Sequence, residues 1–195
     1  LAVTFASAGV DEAGSLQATA HGVVDDGSVL VLGPTDPDWS VGGWPLASVS
    51  TGGLVQAGTV YADCLGTVYA SYGGLLGSGL LTVRNVGADD FGTYAGDGLD
   101  DDWQVLHFGV SNAAAAPGVD ADLDEQDNEL EFYALTDPTN TASRLLFWVE
   151  PVPGATQQVD VCFAPHRTAR VYTVRACTNL LGTPAWVAVN GPLED

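Results

Sequence analysis

Thr67-Val-Tyr-Ala-Ser-Tyr72 and Leu80-Leu-Thr-Val-Arg-Asn-Val86, parted by glycine-rich Gly73–Gly79, decide the fold class. β-Branched and aromatic residues fill both runs and glycine bounds them, the pattern of short strands. Similar runs precede them: Val3–Ser7, Leu16–Val24, Val29–Leu32, Leu46–Ser50 and Leu54–Ala62. Residues 1–88 are therefore expected to form a sandwich-like β region. Gly58-Thr-Val-Tyr-Ala62 recurs as Gly66-Thr-Val-Tyr-Ala70, too short a period for a solenoid, so it reads as two strands of similar chemistry.

The chain begins at Leu1, which predicts a processed protein. Ala6-Ser7-Ala8 has the small-x-small form of a cleavage site, but no basic stretch precedes it. The segment reads instead as an apolar strand with Leu1, Val3 and Phe5 on one face. It has no obvious partner in sequence, so it is a candidate for completing a neighbour's sheet; the alternative is pairing within its own sandwich.

The 195 residues carry 25 Asp+Glu against 5 Lys+Arg, all arginine, for a net charge of −20. Such a polyanion has no electrostatic attraction for nucleic acid or an anionic membrane surface. No apolar run approaches the roughly 18 residues of a spanning helix, so membrane insertion is not expected. With 46% hydrophobic residues, disorder is not expected either. Thirteen of the acids fall between Asp89 and Glu131, with no lysine or arginine between Arg84 and Arg144. Compaction of that segment calls for a cation.

Within it, Asp120-Ala-Asp122-Leu-Asp124-Glu-Gln126-Asp-Asn-Glu-Leu-Glu131 has acids at loop positions 1, 3 and 5 and glutamate at 12. This is EF-hand ligand spacing, with Gln126 where a backbone carbonyl is used. Ca²⁺ takes six to eight hard oxygens, and three alternating carboxylates with a closing bidentate glutamate supply them. Position 6 normally needs glycine, but here it is Glu125. Leu123 fills a position that is often small. A second site would use Asp97, Asp101 and one of Asp89 or Asp90; an N-cap with an acidic first helical turn explains Asp100–Asp102 equally well. Residues 89–143 thus read as an acidic helix-loop-helix insert. Short helices are expected at Asp100–Phe108, with Trp103 and Leu106 sharing a face, and at Asn128–Leu135, with Leu130, Phe132, Tyr133 and Leu135 largely inward.

These motifs carry a resemblance. Asp89-Asp90-Phe91-Gly92, Gly96-Asp97-Gly98-Leu99-Asp100-Asp101-Asp102-Trp103-Gln104, Ala115-Ala116-Pro117-Gly118-Val119-Asp120-Ala121-Asp122, Gln126-Asp127-Asn128 and Thr136-Asp137-Pro138-Thr139 are similar to the thrombospondin type-3-like or dockerin-like calcium module of large secreted bacterial surface proteins. Arg144-Leu-Leu, Pro151-Val-Pro-Gly154, Phe163-Ala-Pro165, Arg170-Val-Tyr-Thr-Val174 and Thr178-Asn-Leu180 before Trp186 resemble the β tail that follows there. The resemblance covers about residues 85–190. It implies Ca²⁺ ligands at Asp120, Asp122, Asp124 and Glu131, a ligand role for Asp97 and Asp101, an extracellular location and non-enzymatic work.

Residues 144–195 return to β, with strands expected at Arg144–Glu150, Gln157–Ala164, Arg170–Thr178 and Ala185–Val189. Pairing the middle two about Pro165–Ala169 sets Phe163 opposite Tyr172 and Asp160 opposite Arg175. Cys162 and Cys177 would then stand about 13 Å apart, too far to bond. A disulfide, if one forms, should include Cys64, with Cys177 the partner carried forward; three reduced cysteines are the alternative.

The histidines His21, His107 and His166 sit in no nucleophile or zinc motif, so an enzyme is not expected. The expected function is a secreted, calcium-binding structural protein that self-associates into a fibre or surface assembly by strand sharing. The alternative is a carbohydrate-binding or adhesion module that meets a cell-surface glycan with Trp39 and Trp44, beside Asp36 and Asp38.

Overall fold

The structure, a computed structural model, describes residues 1–154, 159–177 and 185–189. It is mainly β. Residues 1–88 build β1 (Ala2–Phe5), β2 (Gly9–Asp11), β3 (Ser15–Val23), β4 (Val29–Val31), β5 (Asp38–Val41), β6 (Leu46–Val49), β7 (Leu54–Ala57), β8 (Cys64–Tyr72) and β9 (Leu75–Arg84). One sheet has the order β1-β3-β7-β6, with β4 also on β3; the other has the order β2-β9-β8-β5. The two sheets share one core. Val3, Ala18, Ala20, Leu46, Val55 and Ala57 come from the first, and Val10, Val68, Ala70, Leu81 and Val83 from the second. Period-two alternation produces this: Val68 and Ala70 are fully buried, while Leu80, beside buried Leu81, is 65% exposed.

Glycine sets two features of the decisive stretch. Tyr72 pairs with Leu75 across Gly73-Gly74, whose φ values of 58° and 81° suit a two-residue hairpin turn. Gly77 and Gly79 then let β9 approach β1 closely. A Cβ there would meet the carbonyl oxygens of Leu1 and Val3 at 2.5 and 2.6 Å.

The N-terminal strand is not unpartnered, as its sequence suggested. β1 pairs antiparallel with β3, from Ala2 against His21 to Phe5 against Ala18. Val3 is buried, and Leu1 and Phe5 pack against the core. The partner lies 15 residues away and faces it with small Ala18 and Ala20, a weak pairing signal in sequence. Two strands escaped the reading: β2, which runs parallel to β9, and β5, which pairs with β8 and carries Trp39 opposite Ala70.

The acidic segment holds α1 (Asp101–Phe108), a 3-10 turn (Ala113–Ala115) and α2 (Asn128–Ala134). Their faces are inverted relative to expectation. Leu106 is 77% and Tyr133 54% exposed, whereas α1 buries Asp101 and Gln104 and α2 buries Asn128, Glu131 and Ala134. Each short helix turns an i, i+3 pair of polar residues inward.

Beyond it lie β10 (Leu146–Pro151), β11 (Val159–Ala164), β12 (Arg175–Ala176) and β13 (Val187–Ala188). β11 pairs with β10, setting Phe163 opposite Phe147 and Asp160 opposite Glu150. β12 pairs with β13. The expected ladder between Gln157–Ala164 and Arg170–Thr178 is therefore replaced; Gln157, Gln158 and Thr178 themselves lie outside the described residues. Residues 146–149 are a continuous apolar run that can pair with β11 as readily as 170–176, so the pattern alone did not choose. The chain still turns back after Pro165, and the rings of Phe163 and Tyr172 meet at 4.5 Å.

Candidate metal centre

The loop from Asp120 to Glu131 is shaped by its own carboxylates. Asp120 Oδ1 accepts from the Leu123 and Asp124 N–H groups, and Oδ2 from that of Glu125. Asp122 Oδ1 accepts from Asp124 N–H and Asp124 Oδ1 from Gln126 N–H. These bonds curl the chain so that one ligand atom from each of Asp120, Asp122 and Asp124 lies within 4.8 Å of the others. Two oxygens on one Ca²⁺ at about 2.4 Å can be no further apart than about 4.8 Å, so the three fit one ion.

Some oxygens around the loop have no partner. Asp122 Oδ2, Asp124 Oδ2, Asn128 Oδ1 and Glu131 Oε2 are all buried without a hydrogen bond. Glu131 has no exposed surface. Its Oε1 accepts from the Thr136 hydroxyl at 3.1 Å. Burial, reinforced by the charges of Asp122 and Asp124, raises its pKa to about 7. Burial and Asp124 raise that of Asp122 as well. Buried carboxylate oxygens without donors are costly. A divalent cation satisfies several at once, so the residues fit one. Gln126 contributes its side chain elsewhere: Nε2 donates to the Leu145 carbonyl and Oε1 accepts from Leu145 N–H. Only its main-chain carbonyl remains for the role expected of position 7. Leu123 and Glu125 have φ of 67° and 77°. The two non-glycine residues therefore stand where the backbone is left-handed.

The second cluster is a structural copy of this loop, displaced by 27 residues. Asp97 Oδ1 accepts from Leu99 N–H, as Asp124 does from Gln126. Gly96 and Gly98, with φ of 79° and 96°, match Leu123 and Glu125. Asp89 plays the part of Asp120: Oδ1 accepts from the Gly96 and Asp97 N–H groups, and Oδ2 from Gly98. Asp101 and Gln104 match Asn128 and Glu131, and all four are fully buried. Asp97 and Asp101 thus come together, as expected, but both oxygens of Asp97 and one of Asp101 are already engaged, while Asp101 Oδ1 has no partner. Asp97 Oδ2 accepts from Gln104 Nε2 at 2.7 Å. Asp101 Oδ2 accepts from the Asp90 and Phe91 N–H groups at 2.6 and 2.8 Å. Asp89 was named in sequence only as an alternative to Asp90, and Gln104 and Asn128 were not singled out. Aligning Gly96–Gln104 with Leu123–Glu131 would have found the latter two; the match of Asp89 to Asp120 was hidden because Asp89 precedes Asp97 by eight residues, where Asp120 precedes Asp124 by four.

The two loops meet at the 3-10 turn. Gln104 Nε2 donates to the Ala115 carbonyl, and Asn128 Nδ2 to those of Ala114 and Ala116. The pair is fastened to the β region by buried Glu12. Its Oε2 accepts from Val60 N–H at 3.0 Å and its Oε1 from Val86 and Gly87 at 2.6 and 2.7 Å. Beside the cation loop, an open cavity of about 610 Å³ is lined by His107, Phe108, Asp122 and Asn140 among others. His107 Nδ1 lies 3.5 Å from Asp137.

The tryptophans separate. Trp39 packs against the core and donates to the Pro34 carbonyl. Trp44 is 54% exposed and stacks on Tyr61 at 5.9 Å, with Phe91 edge-on to both. The Cys64 thiol is free. Cys64 begins β8 opposite Val83, packed against the β core of residues 1–88. No protein-family model matches the chain, and no curated protein matches it.

Proposed function

We propose that this is a non-enzymatic, secreted structural module whose loop Asp120–Glu131 binds one Ca²⁺. One observation carries the reading: four buried oxygens of the segment 120–131, on Asp122, Asp124, Asn128 and Glu131, have no donor, and Asp120, Asp122 and Asp124 each bring a ligand atom within 4.8 Å of the others. Hard oxygen ligands and no sulfur or imidazole favour Ca²⁺ over transition metals. The ion neutralises part of a segment whose charge otherwise opposes compaction, which suits an extracellular setting where calcium is plentiful. The two sheets over a common core are read as a β sandwich and the acidic segment as its calcium-stabilised insert, in keeping with the resemblance to thrombospondin type-3-like and dockerin-like modules. Because β1 is paired at home, strand sharing between copies would be an exchange of β1, with Leu1, Val3 and Phe5 filling a neighbour's core.

Calorimetric titration with Ca²⁺ tests the site. Saturable binding abolished by Asp124→Asn is expected; no binding at millimolar calcium would refute it. Sizing and electron microscopy with and without chelator test the assembly, which a calcium-loaded monomer that tolerates deletion of residues 1–8 would exclude. Exposed Trp44, backed by half-buried Tyr61 and Phe91, favours a second reading, stacking on a cell-surface glycan. Glycan binding that falls with Trp44→Ala is its expected result.

A further inference from the structure

We propose that Gln104 is a built-in substitute for a cation: its amide closes the first loop, so the chain takes one divalent ion and not two. The inference rests on the second loop being a cation site. In that loop, Asp124 Oδ1 is held by a backbone N–H and Oδ2 has no donor. In the first, Asp97 Oδ1 is held the same way, but Oδ2 receives Gln104 Nε2 at 2.7 Å. The other amide hydrogen goes to the Ala115 carbonyl at 2.9 Å. The amide nitrogen thus supplies the positive pole that Asp124 lacks, and fixes it to the turn shared by both loops.

The rest of the first loop points the same way. Position 3, filled by Asp122 in the second loop, corresponds to Ala95. Position 12 is neutral Gln104 in place of Glu131. The carboxylates fall from Asp120, Asp122, Asp124 and Glu131 to Asp89, Asp97 and Asp101. Asp89 accepts from three N–H groups, as Asp120 does, so the loops do not differ at that position. Of the four matched oxygens left without a partner in the second loop, the first retains two, Asp101 Oδ1 and Gln104 Oε1, and one of those is uncharged; a third, Asp90 Oδ1, has no match in the second loop and lies beside Glu12. Calcium takes six to eight oxygens and its affinity follows ligand charge, so this is a poor site. The first loop is then a permanently closed scaffold anchored to the β region through Asp101 N–H, which donates to the Ala88 carbonyl at 2.7 Å. Only the second loop answers to calcium.

Counting bound Ca²⁺ on the full chain by native mass spectrometry, with calorimetric stoichiometry, tests this. One ion is expected for the unaltered protein, none for Asp124→Asn, and two for Gln104→Glu, which restores the closing carboxylate and removes the amide. Two ions on the unaltered chain would overturn the inference, as would a single ion lost in Asp97→Asn but kept in Asp124→Asn. If the unaltered chain binds none, the second-loop reading fails, and Gln104→Glu decides the rest: one ion gained upholds the role of Gln104, none overturns it. Gln104→Met guards against a misfolded Gln104→Glu. It removes the amide and cannot ligate through oxygen, so the count stays at one; a lower count than the unaltered protein would show that Gln104 ligates.

Discussion

Gln126 grips Leu145 with both ends of its amide, donating to its carbonyl at 2.7 Å and accepting from its N–H at 2.9 Å. The pair imitates one rung of a β ladder and joins the cation loop to the residue just ahead of β10. Leu145 is 9% exposed, so water does not readily replace the lost partners. Gln126→Ala should destabilise the protein by about 1–3 kcal/mol. It should also weaken calcium binding, since the carbonyl of residue 126 is positioned by the same anchor. Denaturant unfolding with and without calcium checks both effects. Unchanged midpoints would show that the clamp contributes nothing.

Leu123 and Glu125 occupy left-handed backbone that Gly96 and Gly98 adopt in the companion loop. A side chain there costs roughly 1–2 kcal/mol, and glycine returns about 0.5–1 kcal/mol of that as unfolded-state entropy. Glu125→Gly and Leu123→Gly should each stabilise the protein by up to about 1 kcal/mol and tighten calcium binding. Gly98→Ala should do the opposite, by about 1 kcal/mol or more. Thermal melts of the three variants in saturating calcium are the measurement.

The strands and the cation loop were legible for a plain reason: both are written in local patterns. Alternation at Val68 and Ala70 or at Leu81 and Val83 is read over a few residues, and so is the acid spacing from Asp120 to Glu131. Pairing is not local, so β1 looked unpartnered although β3 lies 15 residues on, and β11 was assigned to the wrong neighbour. The helices misled for another reason. Apolar periodicity ordinarily marks the buried face, yet here Asp101, Gln104, Asn128 and Glu131 are turned inward to line the loops, leaving Leu106 and Tyr133 to solvent. The duplication was legible in part, since Gly96–Gln104 and Leu123–Glu131 align without gaps, but Asp89 lies outside that alignment and only its hydrogen bonds reveal its equivalence to Asp120.

Glu12 is 6% exposed and accepts from three N–H groups on two distant segments, those of Val60, Val86 and Gly87. Burial would raise its pKa, but these bonds outweigh it, with the neighbouring Asp90 acting in the same direction, and hold the carboxyl below its usual value. Glu12→Ala strips Val60 N–H of its partner in a fully buried setting and should cost about 2–4 kcal/mol. Glu12→Gln keeps one acceptor and should fall between. Because the folded pKa is lowered, the contribution is present above about pH 4.5 and is lost on acidification through the folded value. Urea unfolding at pH 7 and at pH 3.5 should show the Glu12→Ala deficit at the first and a smaller one at the second.

Glu131 runs the other way. Its pKa, raised chiefly by burial to about 7, lies above the roughly 4.3–4.5 of an unfolded glutamate. Between those values the folded state holds a proton that the unfolded state has released, so stability falls as pH rises. In chelator, the protein should therefore be more stable at pH 5 than at pH 7.5. Calcium reverses the sign, because the ion takes the ionised form and expels the proton. Binding at pH 6 should release close to one proton and strengthen toward pH 7; above pH 8 it should release almost none. Calorimetry in buffers of different ionisation enthalpy reads the proton count directly. Glu131→Gln should abolish both the release and the chelator-dependent pH slope. Calcium binding that is equally tight at pH 5.5 and 8, without proton release, would show that Glu131 is not the group that closes the site.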